Sequence, residues 1–288
     1  MHGTPFTVAF LGPLGTYSHQ AAYDRFGNTV GYYECKTITE VFNAIASKAV
    51  QAGVIPQENS IYGTVIETYD ALRKQNVGFI RGEIVLKVQH CLLVRGGVKP
   101  EEIQCIKSHE QALGQCRGFL TKNFPNASLE KMASTAAAAE AILTSPKCAA
   151  ICSKLCATLF NGLEILYEGI QDQNSNFTRF HVLTATQDVE LPPPAYPAPS
   201  QTHGLVRLTA RRDVTPRAPP INQILAALDL TVSRLDRRPQ LDSPFPFCDV
   251  YFAELEKGDS SASWHSAVED AMKRVKALGV EAELLGLW

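Results

Sequence analysis

The chain has 288 residues, 45% of them apolar and 19% charged, with a formal net charge of −2. This length suits two or three compact units, and this composition fills cores rather than leaving a solvated, disordered chain. A near-neutral balance excludes the broad basic surface of a nucleic-acid or anionic-membrane binder, so local features would have to attract an anionic substrate.

No apolar stretch approaches the roughly 20 residues a spanning helix needs. The first residues lack the basic start and apolar run of a secretory signal, so the expected location is the cytoplasm. The eight cysteines (Cys35, Cys91, Cys105, Cys116, Cys148, Cys152, Cys156 and Cys248) have no zinc-site spacing. They read as buried thiols of a reducing compartment, and no metal is expected.

In chain order, Thr7–Leu11 reads as a strand and His19–Phe26 as a helix. Val41–Val50 follows as a helix, Ala52–Pro56 as a strand and Gly63–Gln75 as a helix. Glu83–Val94 forms one long β-rich run. Then come strand Ile103–Lys107, helix Gln111–Asn123, strand Leu129–Met132 and helix Ala136–Leu143. Strand Ala149–Ile151, helix Lys154–Phe160 and strand Asn176–Leu183 close the series. Alternating strands and helices predict an open α/β sheet with helices on both faces.

Residues 191–200 hold five prolines and read as a stiff, extended linker. Beyond it the pattern changes to strand Leu205–Ala210, helix Asn222–Leu228 and strand Leu230–Leu235. Strand Cys248–Glu254, helix Trp264–Leu278 and strand Glu281–Leu285 complete it. This β-α-β-β-α-β order predicts a small α+β ferredoxin-like domain over residues 203–288. The linker, at 191–202, marks that domain as independent, so residues 1–202 alone should stay folded and active.

Five polar clusters sit where strands hand over to helices or end. They are Gly12–Ser18, Pro56–Gly63, Ser108–Gln111 with Gln115 beyond, Ser134-Thr135, and Asn176–Phe180. Singly, each is an ordinary turn, cap or strand end. Jointly they converge, because such junctions gather at the carboxyl edge of an open α/β sheet, where ligands bind. Several helix N-termini aimed at one crevice suit a molecule with more than one carboxylate. Composition and spacing alone thus define an anion-binding cleft between two α/β lobes.

Phe10–Ser18, Glu58-Asn59-Ser60, Ser108–Cys116, Ser134-Thr135 and Asn176–Phe180 resemble, in order and approximate spacing, the motifs of the prephenate dehydratase family over about residues 6–185. The resemblance implies a two-lobed catalytic domain like periplasmic ligand-binding proteins over residues 1–190. Its lobes would be about 6–82 with 177–190, and 83–176. It implies decarboxylating dehydration of prephenate to phenylpyruvate, on the route to phenylalanine, without a cofactor. Thr178 would stand at the leaving hydroxyl. Asn59, Ser60, Ser108 and Gln115 would orient the substrate, with Thr16, Glu58, Arg179 and Phe180 also at the site.

Strand alternation turns Thr178 and Phe180 to one face and Arg179 to the other. A bulge would bring Arg179 into the cleft; otherwise it braces the sheet or pairs with Glu58. His109 reads as a helix-start residue.

The tail resembles an ACT domain, the family's phenylalanine-sensing module, and implies a homodimer or homotetramer. Asp236, Arg238 and Pro239 match its effector motif, within Leu235–Pro239. Arg217–Ile221 replaces a glycine-containing effector loop with two prolines, which removes backbone donors and predicts weakened L-phenylalanine binding. Two alternatives stand beside this assignment: an arogenate dehydratase, and a non-catalytic sensor of small molecules with the same fold.

Overall fold

The computed structural model describes residues 5–74, 77–193, 201–210, 219–241, 243, 245–258 and 263–288. The first elements are β1 (Thr7–Leu11), α1 (Tyr17–Phe26), β2 (Gly31–Cys35), α2 (Ile38–Ala46), β3 (Ala52–Asn59), a short β4 (Gly63–Thr64), α3 (Ile66–Leu72) and β5 (Phe79–Lys87). Next come β6 (Cys91–Arg95), β7 (Cys105–Ser108), α4 (Glu110–Gln115), α5 (Arg117–Asn123), β8 (Ser128–Lys131), α6 (Thr135–Ile142), β9 (Cys148–Cys152), α7 (Leu155–Leu159) and β10 (Leu163–Glu168). The chain continues through β11 (Phe177–Thr184), β12 (His203–Ala210), α8 (Ile221–Leu228), β13 (Thr231–Pro239), β14 (Asp249–Glu256), α9 (Trp264–Ala277) and β15 (Val280–Leu287).

The helices start where side chains satisfy free backbone N–H groups. Thr16, Thr37 and Ser134 accept from the amides of His19, Glu40 and Ala137 and cap α1, α2 and α6. Along α2, Ile38, Val41, Phe42 and Ile45 recur at helical spacing and bury against the first sheet. In β1, Val8, Ala9 and Phe10 are fully buried, as befits a parallel strand covered on both faces.

Two sheets build two lobes. The first runs β5-β11-β3-β1-β2, and the second is five-stranded, in the order β10-β6-β9-β7-β8. The chain passes between them at residues 88–90 and again before β11, and the two passages are tied by the Val88 amide donating to Asn176 O (2.9 Å). The lobe boundary expected at residue 83 is corrected to 88–90. Glu83–Lys87 pairs with β11 in the first sheet, whereas β6 pairs with β9 and β10 in the second. One apolar run therefore feeds two sheets. The helix expected over 111–123 is two helices meeting at Cys116, whose backbone leaves helical geometry (φ −111°, ψ 15°). The helix expected from Gly63 starts at Ile66, because Gly63 and Thr64 pair with Asn59 and Glu58.

The lobes also touch beside the cleft. Gly15 O accepts from Ser153 Oγ (2.9 Å) and Cys156 Sγ (3.3 Å). Gly15 has φ +88°, and a Cβ there would lie 2.8 Å from Cys156 Sγ, so only glycine permits this approach.

The C-terminal strands lie in the order β13-β14-β12-β15, a ferredoxin-like sheet with α8 and α9 packed on one face. The independence expected for this domain is corrected by its other face. Leu205, Val250, Phe252 and Leu285 share one core with Tyr69, Leu72 and Ile80 of the first lobe. Moreover, β15 joins β5 at Gly286–Ile80, making a single ten-stranded sheet. Residues 194–200 and 211–218, which include most of the linker and the start of the altered effector loop, lie outside the described residues.

Candidate active site

Between the lobes lies a cleft of about 470 Å3. The first lobe contributes Leu11, Thr16, Tyr17, Asn59, Tyr62, Thr64 and Thr178, and the second His109, Gln111, Gln115, Ser134 and Thr135, with Val88 and His90 at the passage between them. A neighbouring space of about 290 Å3 shares Tyr62, Gln111, Gln115 and Asn176 and reaches Asp172. None of the described residues lining the main cleft is Asp, Glu, Lys or Arg. Its polar groups are hydroxyls, amides, the imidazoles of His90 and His109, and the N-termini of α1 and α6. Helix N-termini carry a partial positive charge of roughly half a unit and favour carboxylates.

Asn59 organises the first-lobe wall. Its Nδ2 lies 2.7 Å from Asn176 Oδ1, 3.1 Å from Phe177 O and 3.0 Å from Thr178 Oγ1. Its Oδ1 accepts from the amides of Ile61 and Tyr62. Because Asn59 donates to Thr178, the threonine keeps its own hydrogen to donate into the cleft. On the facing wall, Gln115 Oε1 lies 2.5 Å from His90 Nε2, and its Nε2 lies 3.3 Å from Tyr62 Oη. An amide oxygen only accepts, so His90 Nε2 carries the hydrogen and Nδ1 accepts from Tyr17 Oη at 2.6 Å.

Burial lowers the His90 pKa below its ordinary value of 6.5, opposed by the bond to Gln115. Burial also raises the Tyr17 phenol well above 10.0. Tyr17, His90 and Gln115 therefore form an uncharged chain that fixes the Gln115 amide.

Thr16, Asn59, Gln115 and Thr178 come together at the cleft. Five other expected site residues do not, and each has a physical reason. Ser60 donates to Ser175 O and accepts from the Phe177 amide, stapling the turn after β3 to β11. Ser108 is fully buried and donates to Ile151 O across the second sheet, while His109 caps α4. Phe180 is 1% exposed and fills the core with Phe10 and Val54.

Arg179 points to the opposite face and pairs with Glu58, Glu83 and Glu254. A register shift does fall beside it, on β3 at Gln57, but it leaves Arg179 turned away and paired with Glu58, the alternative to entering the cleft. Glu58 is held between Arg179 and Arg234. The matched effector residues also face the first lobe. Asp236 accepts from Thr64 Oγ1 (2.8 Å), Arg238 forks onto Asp70 (2.7 and 3.0 Å), and Pro239 O accepts from Arg73 Nη1.

Tyr17, Tyr62 and Gln111 of the cleft wall lie within the polar clusters evident in the sequence without standing out singly there, whereas Thr64 and His90 lie outside them. For His90 the usable signal was Val88–His90, two polar residues breaking an otherwise continuous β run. Among the described residues, no group of three or more His, Cys, Asp or Glu side chains is arranged to hold a metal ion.

Residues 8–188 match the model of the prephenate dehydratase family. The chain belongs to the prephenate dehydratase family. It is accordingly an enzyme of this type, converting prephenate to phenylpyruvate, water and carbon dioxide. The bifunctional chorismate mutase/prephenate dehydratase of Aquifex aeolicus is 31% identical over 280 residues, covering 97% of this chain and 72% of that protein. Arogenate dehydratase 1 of Petunia hybrida is 39% identical over 185 residues, covering 64% of this chain and 43% of that one. A prephenate dehydratase of Arthrobacter aurescens, solved in complex with L-Phe, superposes with a TM-score of 0.76 at 26% identity, covering 98% of this chain and 89% of that one.

Proposed function

We propose that this cleft, lined among the described residues by no carboxylate, lysine or arginine, performs the decarboxylating dehydration of prephenate, with Thr178 as hydrogen-bond donor to the leaving hydroxyl. Cleavage of the bond to the ring carboxylate releases carbon dioxide, and its electron pair completes the aromatic ring. The carbon–oxygen bond breaks, and the departing hydroxide takes a proton to become water. Aromatisation supplies the driving force, so the protein's task is to orient the dianion and assist the leaving group.

The observation that carries this reading is the bond from Asn59 to Thr178 at 3.0 Å. It occupies the threonine's acceptor side and makes its hydrogen available to substrate. It also stabilises developing negative charge on that oxygen, the usual requirement of a weak general acid. The N-termini of α1 and α6, with Gln115, Gln111 and the hydroxyls of Ser134 and Thr135, hold the carboxylates.

A second reading, arogenate as substrate, draws on the similarity to the petunia enzyme. Arogenate carries an ammonium where prephenate carries a keto group, and the described lining of the main cleft has no carboxylate to meet it. Asp172, in the adjoining space, already accepts from the Gly118 amide. Prephenate is therefore preferred, with an expected kcat/KM at least tenfold above that for arogenate. Purified enzyme offered each substrate decides the matter, with phenylpyruvate read by absorbance and phenylalanine by chromatography. Equal or greater turnover of arogenate would reverse the assignment.

The tail is read as an ACT-type module whose L-phenylalanine response is weakened, because Asp236 and Arg238 are engaged by Thr64 and Asp70. A cytoplasmic setting is supported by the cysteines, which are all free thiols and mostly buried. A homodimer or homotetramer is supported by β13, a terminal strand of the large sheet that leaves Leu235 39% exposed.

A further inference from the structure

Two polar chains run from the C-terminal domain to the cleft. A register shift between Val232 and Arg234 turns Arg234 and Asp236 of β13 toward the first lobe. There Thr64 Oγ1 donates to Asp236 Oδ1 at 2.8 Å and accepts from Arg234 Nη2 at 2.7 Å. Arg234 Nε also bonds Asp236 Oδ2 at 2.5 Å. Thr64 is part of the cleft wall, and it pairs with Glu58 on β3, next to Asn59.

In the second chain, Glu254 of β14, with its side chain only 3% exposed, pairs with Arg179 and accepts from Gln57 Nε2 at 3.1 Å. Arg179 is the immediate neighbour of Thr178, and its remaining donors go to Glu58 (2.8 Å) and Glu83. Charge-assisted bonds in so sheltered a place are directional and strong. The rest of the domain contact does not reach the cleft. It includes Asp70 with Arg238, Arg73 on Pro239 O, Arg207 on Leu72 O, Gly286 on Ile80, and the apolar core shared by Leu205, Phe252 and Leu285 with Tyr69 and Leu72.

We propose that the C-terminal domain supplies positioning residues for the dehydration: Arg234 and Asp236 fix Thr64 in the cleft wall, and Glu254 fixes Arg179 behind Thr178. The active cleft is thus assembled by both domains. This rests on the cleft being the dehydratase site, and it assigns three residues outside the matched 8–188 segment to the catalytic geometry. Each acts through another residue and touches no substrate.

The test uses full-length Asp236→Asn, Glu254→Gln, Thr64→Val, Thr64→Ser and Asp70→Asn. Steady-state kinetics with prephenate are combined with hydrogen–deuterium exchange over residues 60–65. Asp236→Asn and Glu254→Gln should each lower kcat at least tenfold with KM within threefold. The Thr64→Val/Asp236→Asn double variant should be no slower than Thr64→Val alone, because both remove one link. Thr64→Ser should keep at least tenfold more kcat than Thr64→Val. Asp70→Asn weakens the domain contact with Arg238 and the pair with Arg73, both away from the cleft, and should leave kcat within threefold while lowering the melting temperature.

Exchange over 60–65 should quicken in Asp236→Asn and not in Asp70→Asn. The proposal is overturned if Asp236→Asn and Glu254→Gln keep kcat within threefold of the parent, or if Asp70→Asn loses as much as they do. Should Glu254→Gln not fold, equal kcat in Thr64→Val and Thr64→Ser overturns the clamp by itself. Unchanged exchange in Asp236→Asn also overturns it, whatever the activity. A parent chain that does not turn over prephenate refutes the dehydratase reading instead, and the exchange result still decides the clamp.

Discussion

Lowering the pH from 7.5 to 5.0 should weaken the fold, and His181 carries a share of that loss that a single substitution isolates from those of the other buried imidazoles, His19 and His90. The His181 imidazole is fully buried where β11 meets the C-terminal domain, and its ring centroid lies 5.3 Å from that of Trp288. Neither ring nitrogen has a hydrogen-bond partner. Burial, and then the positive charge of Arg179, lower its pKa from 6.5 to about 3. The unfolded chain therefore binds this proton more tightly than the folded one. The stability from keeping His181 neutral is complete above pH 6.5 and is lost as pH falls from there toward 3.

At pH 5.0 the shortfall is about 1.5 pH units, or about 2 kcal/mol at roughly 1.36 kcal/mol per unit. For a chain of this size that corresponds to about 4–8 °C in melting temperature. His181→Phe keeps a ring against Trp288 and removes the titration. Urea unfolding of both proteins at the two pH values should show the parent losing about 2 kcal/mol more than the variant. Equal losses in the two would refute this account of His181.

Gly286→Ala places a Cβ 2.5 Å from both Ile80 Cβ and Ile80 O, so the strands must part. Stability should fall by about 1–3 kcal/mol, read by urea unfolding. A chain ending at residue 202 should be insoluble or inert, because it exposes the first-lobe face that meets Phe252 and Leu285. Calorimetric titration should find L-phenylalanine binding weaker than low micromolar, since Asp236 and Arg238 are held by Thr64 and Asp70. Tight binding with strong inhibition would show that those contacts yield to the effector.

Strands buried on both faces and some helix caps were legible in the sequence, because apolar runs such as Val8–Phe10 and caps such as Ser134 are local signals. The edge strands β2 and β10 were not, since Gly31–Cys35 and Leu163–Glu168 are half-exposed and lack a continuous apolar run. Strand alternation correctly set Arg179 opposite Phe180, but its partner Glu254 lies 75 residues away and no local pattern reports it. Ser108 and Ser60 were rightly seen as polar residues at strand ends. Their hydroxyls are taken up by Ile151 O and Ser175 O, choices fixed only once the strands assemble. The independence of the tail failed for a similar reason. Proline-rich composition describes a linker, but it says nothing of the apolar face, Leu205 to Leu285, that closes over the first lobe.

The most direct test of the central claim is the kcat of Thr178→Val and Thr178→Ser with saturating prephenate. Thr178→Val is nearly isosteric and removes only the hydroxyl that Asn59 orients. It should lower kcat by about 10²–10⁴-fold, the usual scale for a general acid, while Thr178→Ser should recover at least tenfold of that loss. A Thr178→Val enzyme that keeps kcat within about threefold, under roughly 0.7 kcal/mol of barrier, would contradict the assignment of Thr178 to the leaving hydroxyl.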